Sequence, residues 1–283
     1  MLRRLIFLIS LIVVLGLAGN AGAALVGHWR LDGDASDSSG NGNDGVLFGD
    51  PQWVAGKIGG ALEFDGTDDR VEMPGTSPTE GFPSVDGEVT WALWFKTGSS
   101  TVGSRPVMAL GPTGAAHVSG NRSITIENSG VIMVRAWGVG GLTSLTSSAT
   151  VDDDEWHHIA VTIAFDTSGS SDPMKFYIDG DLSKGYEVDN VNINANASAA
   201  DDFIVTLGAR GGYYDGLIDD VRVYDHVLSE VEILAAMAAE PWPFAFGPSP
   251  ADGALLEATW VNLSWRAGEM AVSHDVYFGD NFE

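Results

Sequence analysis

The sequence predicts an all-β fold: two antiparallel sheets packed as a sandwich, with one short helix near the C-terminal side. Two observations carry this. From Leu25 to Tyr224, short β-like runs are separated by clusters of Gly, Asn, Asp and Ser, the residues of tight turns. At the end of this region Gly216–Tyr224 alternates as a strand, with Leu217, Val221 and Val223 expected on one face and Asp220 and Arg222 on the other. Many short strands with almost no helix must bury their apolar faces against one another, which takes two sheets.

Taken in order, Met1–Ala23 is set apart from the fold. Arg3 and Arg4 form a basic start, Leu5–Leu17 an apolar run and Ala21-Gly22-Ala23 a small-residue cleavage site, so a signal peptide is expected over 1–23. The run is short for a membrane span, so membrane contact is expected only through this segment before cleavage, and the mature chain is expected to be secreted or at the cell surface. The main domain is expected over 24–239. Its strands are predicted near Leu25–Leu31, Val46–Phe48, Ala61–Phe64, Arg70–Met73, Val89–Lys96, Val107–Leu110, Ser123–Glu127, Val131–Trp137, His157–Phe165, Lys175–Ile178, Phe203–Leu207 and Leu217–Tyr224. Asp179-Gly180 predicts a hairpin turn after Phe176-Tyr177-Ile178. Ser229 and Glu232 stand at capping-box spacing and open a helix to about Ala239, which Pro241 and Pro243 cannot continue.

Residues 240–250 read as a stiff Pro-rich linker. A second unit over 251–283, with Val261–Trp265 and Ser273–Phe278, resembles the opening strands of a fibronectin-III-like or immunoglobulin-like module but is too short to complete one.

The chain holds 39 Asp+Glu against 14 Lys+Arg, a formal net charge of −25, and no cysteine. That charge repels phosphate backbones, so nucleic acid and anionic membrane surfaces are poor partners. Disulfides cannot staple the domain even in an oxidising compartment, and a bound divalent cation suits the acidic excess.

Four segments share an order and spacing that resemble a known family. They are Gly59–Gly66 (GGALEFDG), Trp156–Thr162 (WHHIAVT), Phe176–Gly180 (FYIDG) and Gly216–Tyr224 (GLIDDVRVY). With the Asp/Gly/Asn-rich loop after the first strand, they resemble the laminin-G-like, concanavalin A-like jelly-roll family from about Leu25 to about Ala239. The resemblance implies a jelly-roll sandwich whose first and last strands run side by side. It also implies that Trp29, Trp91, Trp94 and Trp156 are packing residues, and that a structural calcium lies between the corresponding elements. For function it is broad, since this fold hosts lectin-like, enzyme-accessory and adhesive modules.

The calcium expectation has its own residues. Asp32, Asp34 and Asp37, followed by Ser38–Asp44 with Asn41, offer the hard oxygen ligands calcium takes. Side-by-side terminal strands would bring Asp219 or Asp220 close, and Asp219 matches the family's usual acidic position. The other reading of the same loop is a turn whose side chains cap their own backbone. A glycan site needs aromatic platforms and a few orienting polar groups. Trp137, Tyr213 and Tyr214 stand near loops or strand ends, and Arg122, Arg135 and Arg210 are scarce cations suited to hydroxyls or an acidic sugar.

His157-His158 resembles a metal pair, but neighbours on a strand face opposite ways. No E-x-D-x-x-E run marks a glycosidase, and Asp152–Glu155 reads as an acidic turn. The expectation is a non-catalytic recognition module that binds a glycan or an extracellular protein. The alternatives are an architectural spacer in a modular surface protein and a glycoside hydrolase domain.

Overall fold

The computed structural model describes residues 25–74, 88–98, 103–112, 122–138, 141–164, 172–191, 203–238, 246–249 and 264–266. The expected signal peptide and most of the expected second module lie outside these residues. The strands of the sandwich are β1 (Leu25–Trp29), β2 (Val46–Phe48), β3 (Gln52–Ala55), β4 (Gly60–Asp65), β5 (Arg70–Pro74), β6 (Val89–Lys96), β7 (Arg105–Pro112) and β8 (Arg122–Ile126). They continue as β9 (Val131–Gly138), β10 (Gly141–Thr150), β11 (Trp156–Ile163), β12 (Asp172–Ile178), β13 (Asp181–Val191), β14 (Phe203–Leu207) and β15 (Asp215–Tyr224), followed by helix α1 (Glu230–Ala238).

The strands form two antiparallel sheets. One has eight strands, in the order β13-β12-β11-β6-β15-β4-β3, with β1 also paired to β15; the other has seven, in the order β10-β9-β8-β7-β14-β5-β2. Their inner faces enclose one core. Trp29, Trp91, Leu93, Phe95, Ile159, Val161 and Phe176 come from the eight-stranded sheet, and Val71, Met73, Ile124, Val134 and Val205 from the other. The alternation of these residues along each strand is the period-two pattern that buries one face. Helix α1 and the residues leading into it cover part of the opposite face of the eight-stranded sheet, where Ile233 of the helix and Leu228 before it cluster with Ala92, Ala160 and Tyr177. Its start is the expected capping box: Glu232 Oε2 accepts from Ser229 N at 2.8 Å, and Ser229 Oγ accepts from Glu232 N at 3.4 Å.

The expected hairpin at Asp179-Gly180 is present, with φ of 54° and 75°, the paired left-handed conformations of a type I′ turn. Three features differ from the sequence reading. Strand β3 and the ten-residue β10 were not anticipated, because Gly141–Thr150 is rich in Ser and Thr and reads as turn punctuation. As the edge strand of its sheet, β10 buries Leu145 but needs no continuous apolar run. Within the expected linker, β16 (Phe246–Ser249) pairs with β17 (Ser264–Arg266), and Pro248 falls in the register shift, where its missing N–H breaks no ladder bond.

The third difference is in β15. The core side chain is Ile218, not Leu217, alongside Val221 and Val223. A β-bulge between Asp219 and Arg222, with Asp220 at φ 47°, inserts an extra residue and inverts the alternation. At that bulge β15 changes its partner on one side. Asp215–Ile218 pair with β4, and Val221–Tyr224 with β1.

Candidate functional site

On β8 and β9 the core takes Ile124, Ile126, Val134 and Ala136. Alternation therefore turns Ser123, Thr125, Arg135 and Trp137 to the outer face of the seven-stranded sheet. Ser123 lies opposite Arg135 in the ladder, and Arg122 opposite Ala136. Arg135 is held by two bonds: Nη1 donates to Thr125 Oγ1 at 3.0 Å and Nη2 to Glu127 Oε1 at 3.0 Å. The same Glu127 oxygen accepts from Ser104 Oγ at 2.6 Å and from Thr125 Oγ1 at 3.2 Å.

The Ala209–Tyr213 turn reaches this region. Ala209 and Tyr213 form a β-bridge, and Arg210 N donates to Gly212 O at 3.1 Å. Arg210 Nη1 donates to Arg122 O at 3.1 Å, whereas the guanidinium of Arg135 lies further along β8, on Thr125 and Glu127. Burial first, and then the neighbouring Arg135 charge, lower the basicity of Arg210. Arg122 itself is buried and ties the two strands together through Nη1 to Trp137 O at 3.0 Å.

Of the five glycan candidates, Arg210 lies near enough to Arg135 to feel its charge, Trp137 lies two residues beyond Arg135 along β9 on the same face, and Tyr213 is 38% exposed at the end of the Arg210 turn. Tyr214 is corrected. It is 0% exposed, packs edge-on against Phe64 at 6.1 Å and donates its hydroxyl to Lys96 O at 3.0 Å. Next to Tyr213 in the chain, it faces the core instead of solvent. Thr125 and Glu127, which organise Arg135, were missed. Their only sequence signal is the i, i+2 spacing that puts Ser123, Thr125 and Glu127 on one strand face.

The five expected metal ligands are divided by the structure. Asp37 caps the loop: Oδ1 accepts from His28 N and Ser39 N, and Oδ2 from Asn43 N, at 2.9–3.0 Å. Asp34 Oδ1 accepts from Ser36 N at 2.9 Å, and Asn41 Nδ2 donates to Leu25 O and Val26 O at 3.0 Å. These three bind backbone, as the alternative reading of the loop had it. Asp32 and Asp219 meet at a different place, the turn into β4. Asp32 Oδ1 accepts from Gly60 N at 2.6 Å, and Asp219 Oδ2 from Ile58 N at 2.8 Å.

Asp219 is 0% exposed and its Oδ1 has no hydrogen-bond partner. Burial, with Asp220 and Asp32 nearby, pushes its carboxyl up to about 7. An orphaned buried carboxylate oxygen beside a second carboxylate fits a cation, so Asp32 and Asp219 suit the ion the family resemblance implies. Asp220 is not part of this pair. It accepts from His28 Nε2 at 2.7 Å and pairs with Arg222 at 2.9 Å, closing the β1–β15 seam.

Among the described residues, three carboxylates converge within 4.8 Å at Asp65, Asp68 and Asp69. Asp69 spends its oxygens on Asp50 N and Asp65 N, and Asp65 Oδ1 accepts from Thr67 N, so the cluster is knitted into the β4–β5 turn. His157 and His158 point to opposite faces. His157 bridges Asp179 and Asp153, each at 3.1 Å, whereas His158 is 2% exposed, stacks edge-on to Trp94 at 5.2 Å and is held down to about 4 by burial. The Asp152–Glu155 turn is engaged in the same way, with Asp154 on Lys96 at 3.4 Å and Asp153 on His157. Among the described residues no helix is long and apolar enough to cross a membrane.

Comparison with known proteins agrees with this architecture. A family model described as Concanavalin A-like lectin/glucanases superfamily matches residues 65–234. A search of curated proteins finds no match. Domain 4 of AbnA, a GH43 extracellular arabinanase from Geobacillus stearothermophilus, in complex with arabinotriose, is similar with a TM-score of 0.53 and 20% identity, covering 76% of this chain and 99% of that one. The receptor binding domain of botulinum neurotoxin C/D mosaic serotype is similar with a TM-score of 0.58 and 15% identity, covering 78% of this chain and 52% of that one. The binding domain of Paraclostridial Mosquitocidal Protein 1 gives 0.54 and 16%, covering 75% and 51%. This chain thus spans about half the length of the two toxin domains. At these identities the structural likeness concerns the fold, whereas the family model spans more than half of the sequence: the chain belongs to the concanavalin A-like lectin/glucanases superfamily.

Proposed function

We propose that this chain is an exported, non-catalytic recognition module that binds an oligosaccharide on the outer face of β8 and β9. The observation that carries the reading is the placement of Arg135 and Trp137 on one face of β9, with Arg210 near enough to feel the Arg135 charge and Tyr213 exposed at the end of the Arg210 turn. Aromatic rings match the C–H faces of sugars, and guanidiniums donate in pairs to their oxygens. Support comes from the arabinanase domain, which this chain covers almost completely and which is described in complex with arabinotriose. The botulinum neurotoxin domain of the same architecture is named for receptor binding.

Calcium has a structural part in this proposal. Asp32 and Asp219 are the residues that would hold it, and its charge would offset the burial of Asp219 and the neighbouring carboxylates. It would join the loop after β1, the turn into β4 and the bulge of β15.

Titration calorimetry against a panel of neutral and acidic oligosaccharides tests the binding reading. Binding to at least one member is expected, weakened about tenfold or more by Trp137→Ala or Tyr213→Ala without loss of the folded state. A panel that gives no heat with the folded protein leaves the spacer reading in its place.

A further inference from the structure

We propose that Asn41-Gly42, in the loop after β1, is a site of spontaneous covalent modification: Asn41 deamidates to aspartate or isoaspartate, and the change unpins the start of β1. The pair is the only Asn-Gly in the sequence. Both residues are exposed. Gly42 holds a φ of +78°, and nothing lies within 4 Å of the place a Cβ would take. A glycine there leaves its backbone nitrogen unshielded and its dihedrals free to turn. The nitrogen can therefore reach the side-chain carbon of the residue before it.

The step balances with water as its co-reactant. The Gly42 nitrogen attacks Asn41 Cγ and gives up its proton. The new N–Cγ bond forms as Cγ–Nδ2 breaks, and ammonia leaves. Water then opens the cyclic imide at either carbonyl, giving aspartate or the isomer whose main chain runs through Cγ. Nothing is oxidised or reduced.

The surroundings of Asn41 give the change its consequence. Nδ2 donates to Leu25 O at 3.0 Å, to Val26 O at 3.0 Å and to Ser39 Oγ at 3.1 Å. An amide nitrogen donates, whereas an ionised carboxylate only accepts. Conversion therefore takes the donor from two backbone carbonyls and sets a negative charge against them. Leu25 and Val26 open β1, the strand paired with β15. Asn43 does similar work, with Nδ2 on Val26 O at 3.0 Å, but it is 3% exposed and precedes Asp44 instead of a glycine. A side chain on the following residue hinders the attack, so Asn43 is expected to stay intact.

Incubation of the full chain in mildly alkaline buffer, followed by peptide mapping, tests the site. The peptide holding Asn41 is expected to gain about 1 Da, ammonia lost and water gained, and to accept a methyl group from an isoaspartyl methyltransferase. Fragmentation should place the gain at Asn41. An unchanged Asn41, or a gain placed at Asn43, overturns the assignment. The mapping uses the unmutated protein, so it holds even where a variant misfolds. The consequence is read from two variants: Asn41→Ala removes the donor, and Asn41→Asp also adds the charge. Melting temperatures should fall in that order, with Asn41→Asp a few degrees below the unmutated chain. An Asn41→Asp variant that melts no lower than the unmutated chain overturns the unpinning of β1.

Discussion

Asp219, on the last strand of the sandwich, and Asp32, just beyond the first, grip the same turn from two sides. Asp219 Oδ2 takes the amide of Ile58 at 2.8 Å and Asp32 Oδ1 the amide of Gly60 at 2.6 Å. Neither residue is near the other in sequence. They meet because β1 and β4 follow one another along the same side of β15, and the bulge at Asp219-Asp220 lies where one partner gives way to the other. Gly59, at φ +69°, presses its backbone against the Asp32 carboxylate, a position where a Cβ would collide with it.

The first prediction concerns this junction. Calcium should raise the melting temperature relative to excess chelator, by the equivalent of about 2.7 kcal/mol when the ion is at about one hundred times its dissociation constant. Asp32→Ala with Asp219→Ala should abolish the difference, while Asp34→Ala, whose carboxylate caps Ser36, should leave it intact. Superimposable melting curves of the unmutated chain with calcium and with chelator would dispose of the calcium reading.

The bulge makes a second, independent prediction. Ile218→Ala should cost about 2–5 kcal/mol, the range for a large aliphatic removed from a packed core. Leu217→Ala, on the half-buried opposite side, should cost less than about 1 kcal/mol. Denaturant titrations of the two variants decide it, and the reverse order would mean that β15 keeps strict alternation.

Tyr213 and Tyr214 should separate cleanly. Tyr214→Ala empties a fully buried site and should destabilise by about 3–5 kcal/mol, as loss of a core aromatic does. Tyr213→Ala should stay within about 0.5 kcal/mol in stability and change only ligand binding. Equal destabilisation by both would place Tyr213 in the packing as well.

His157 makes stability depend on pH. The bond to Asp179 first, and that to Asp153 next, raise its basicity above the ordinary value of 6.5, although burial opposes them. The folded state therefore holds the proton more tightly than the unfolded chain. The contribution is complete below about 6.5 and is lost as pH rises through the folded value. Asp179 works on the acid side. Burial pushes it up, but bonds from His157, the His158 amide and Lys184 bring it down to about 2. Its contribution is present above the ordinary 3.8 and lost as pH falls through about 2. Melting temperatures should fall by a few degrees between about pH 6.5 and pH 8, and His157→Gln should make that limb shallower, the remainder coming from Asp219, whose carboxyl lies at about 7. An unchanged slope in the variant would show that other groups set it.

Much of the fold was legible because its signals are local. Val89–Lys96 and Phe203–Leu207 end where their β-branched and aromatic runs end, the Asp179-Gly180 turn is read from two residues, and the Ser229–Glu232 cap from four. Strand β10 was not, since Ser and Thr serve both turns and exposed edges. In the candidate site, Arg135, Arg210, Trp137 and Tyr213 were legible as residue types with scarce charge or exposed aromatic character. Glu127 and Thr125 gave no comparable signal, because an ordinary polar strand residue acquires its role only from the neighbour across the ladder.

The sequence by itself determined the all-β class, the position of most strands, the capped helix and the acidic character, all of which follow from periodicity, turn chemistry and composition within a few residues. Tertiary structure alone decided three things. It put Tyr214 inside and Tyr213 outside, inverted the alternation of β15 at Asp220, and set Asp32, not Asp34, on the turn that Asp219 also holds. The physical reason is the same in each. These outcomes depend on which backbone amides and which strand edges come to lie beside a residue, and that is settled by pairing between segments far apart in the chain.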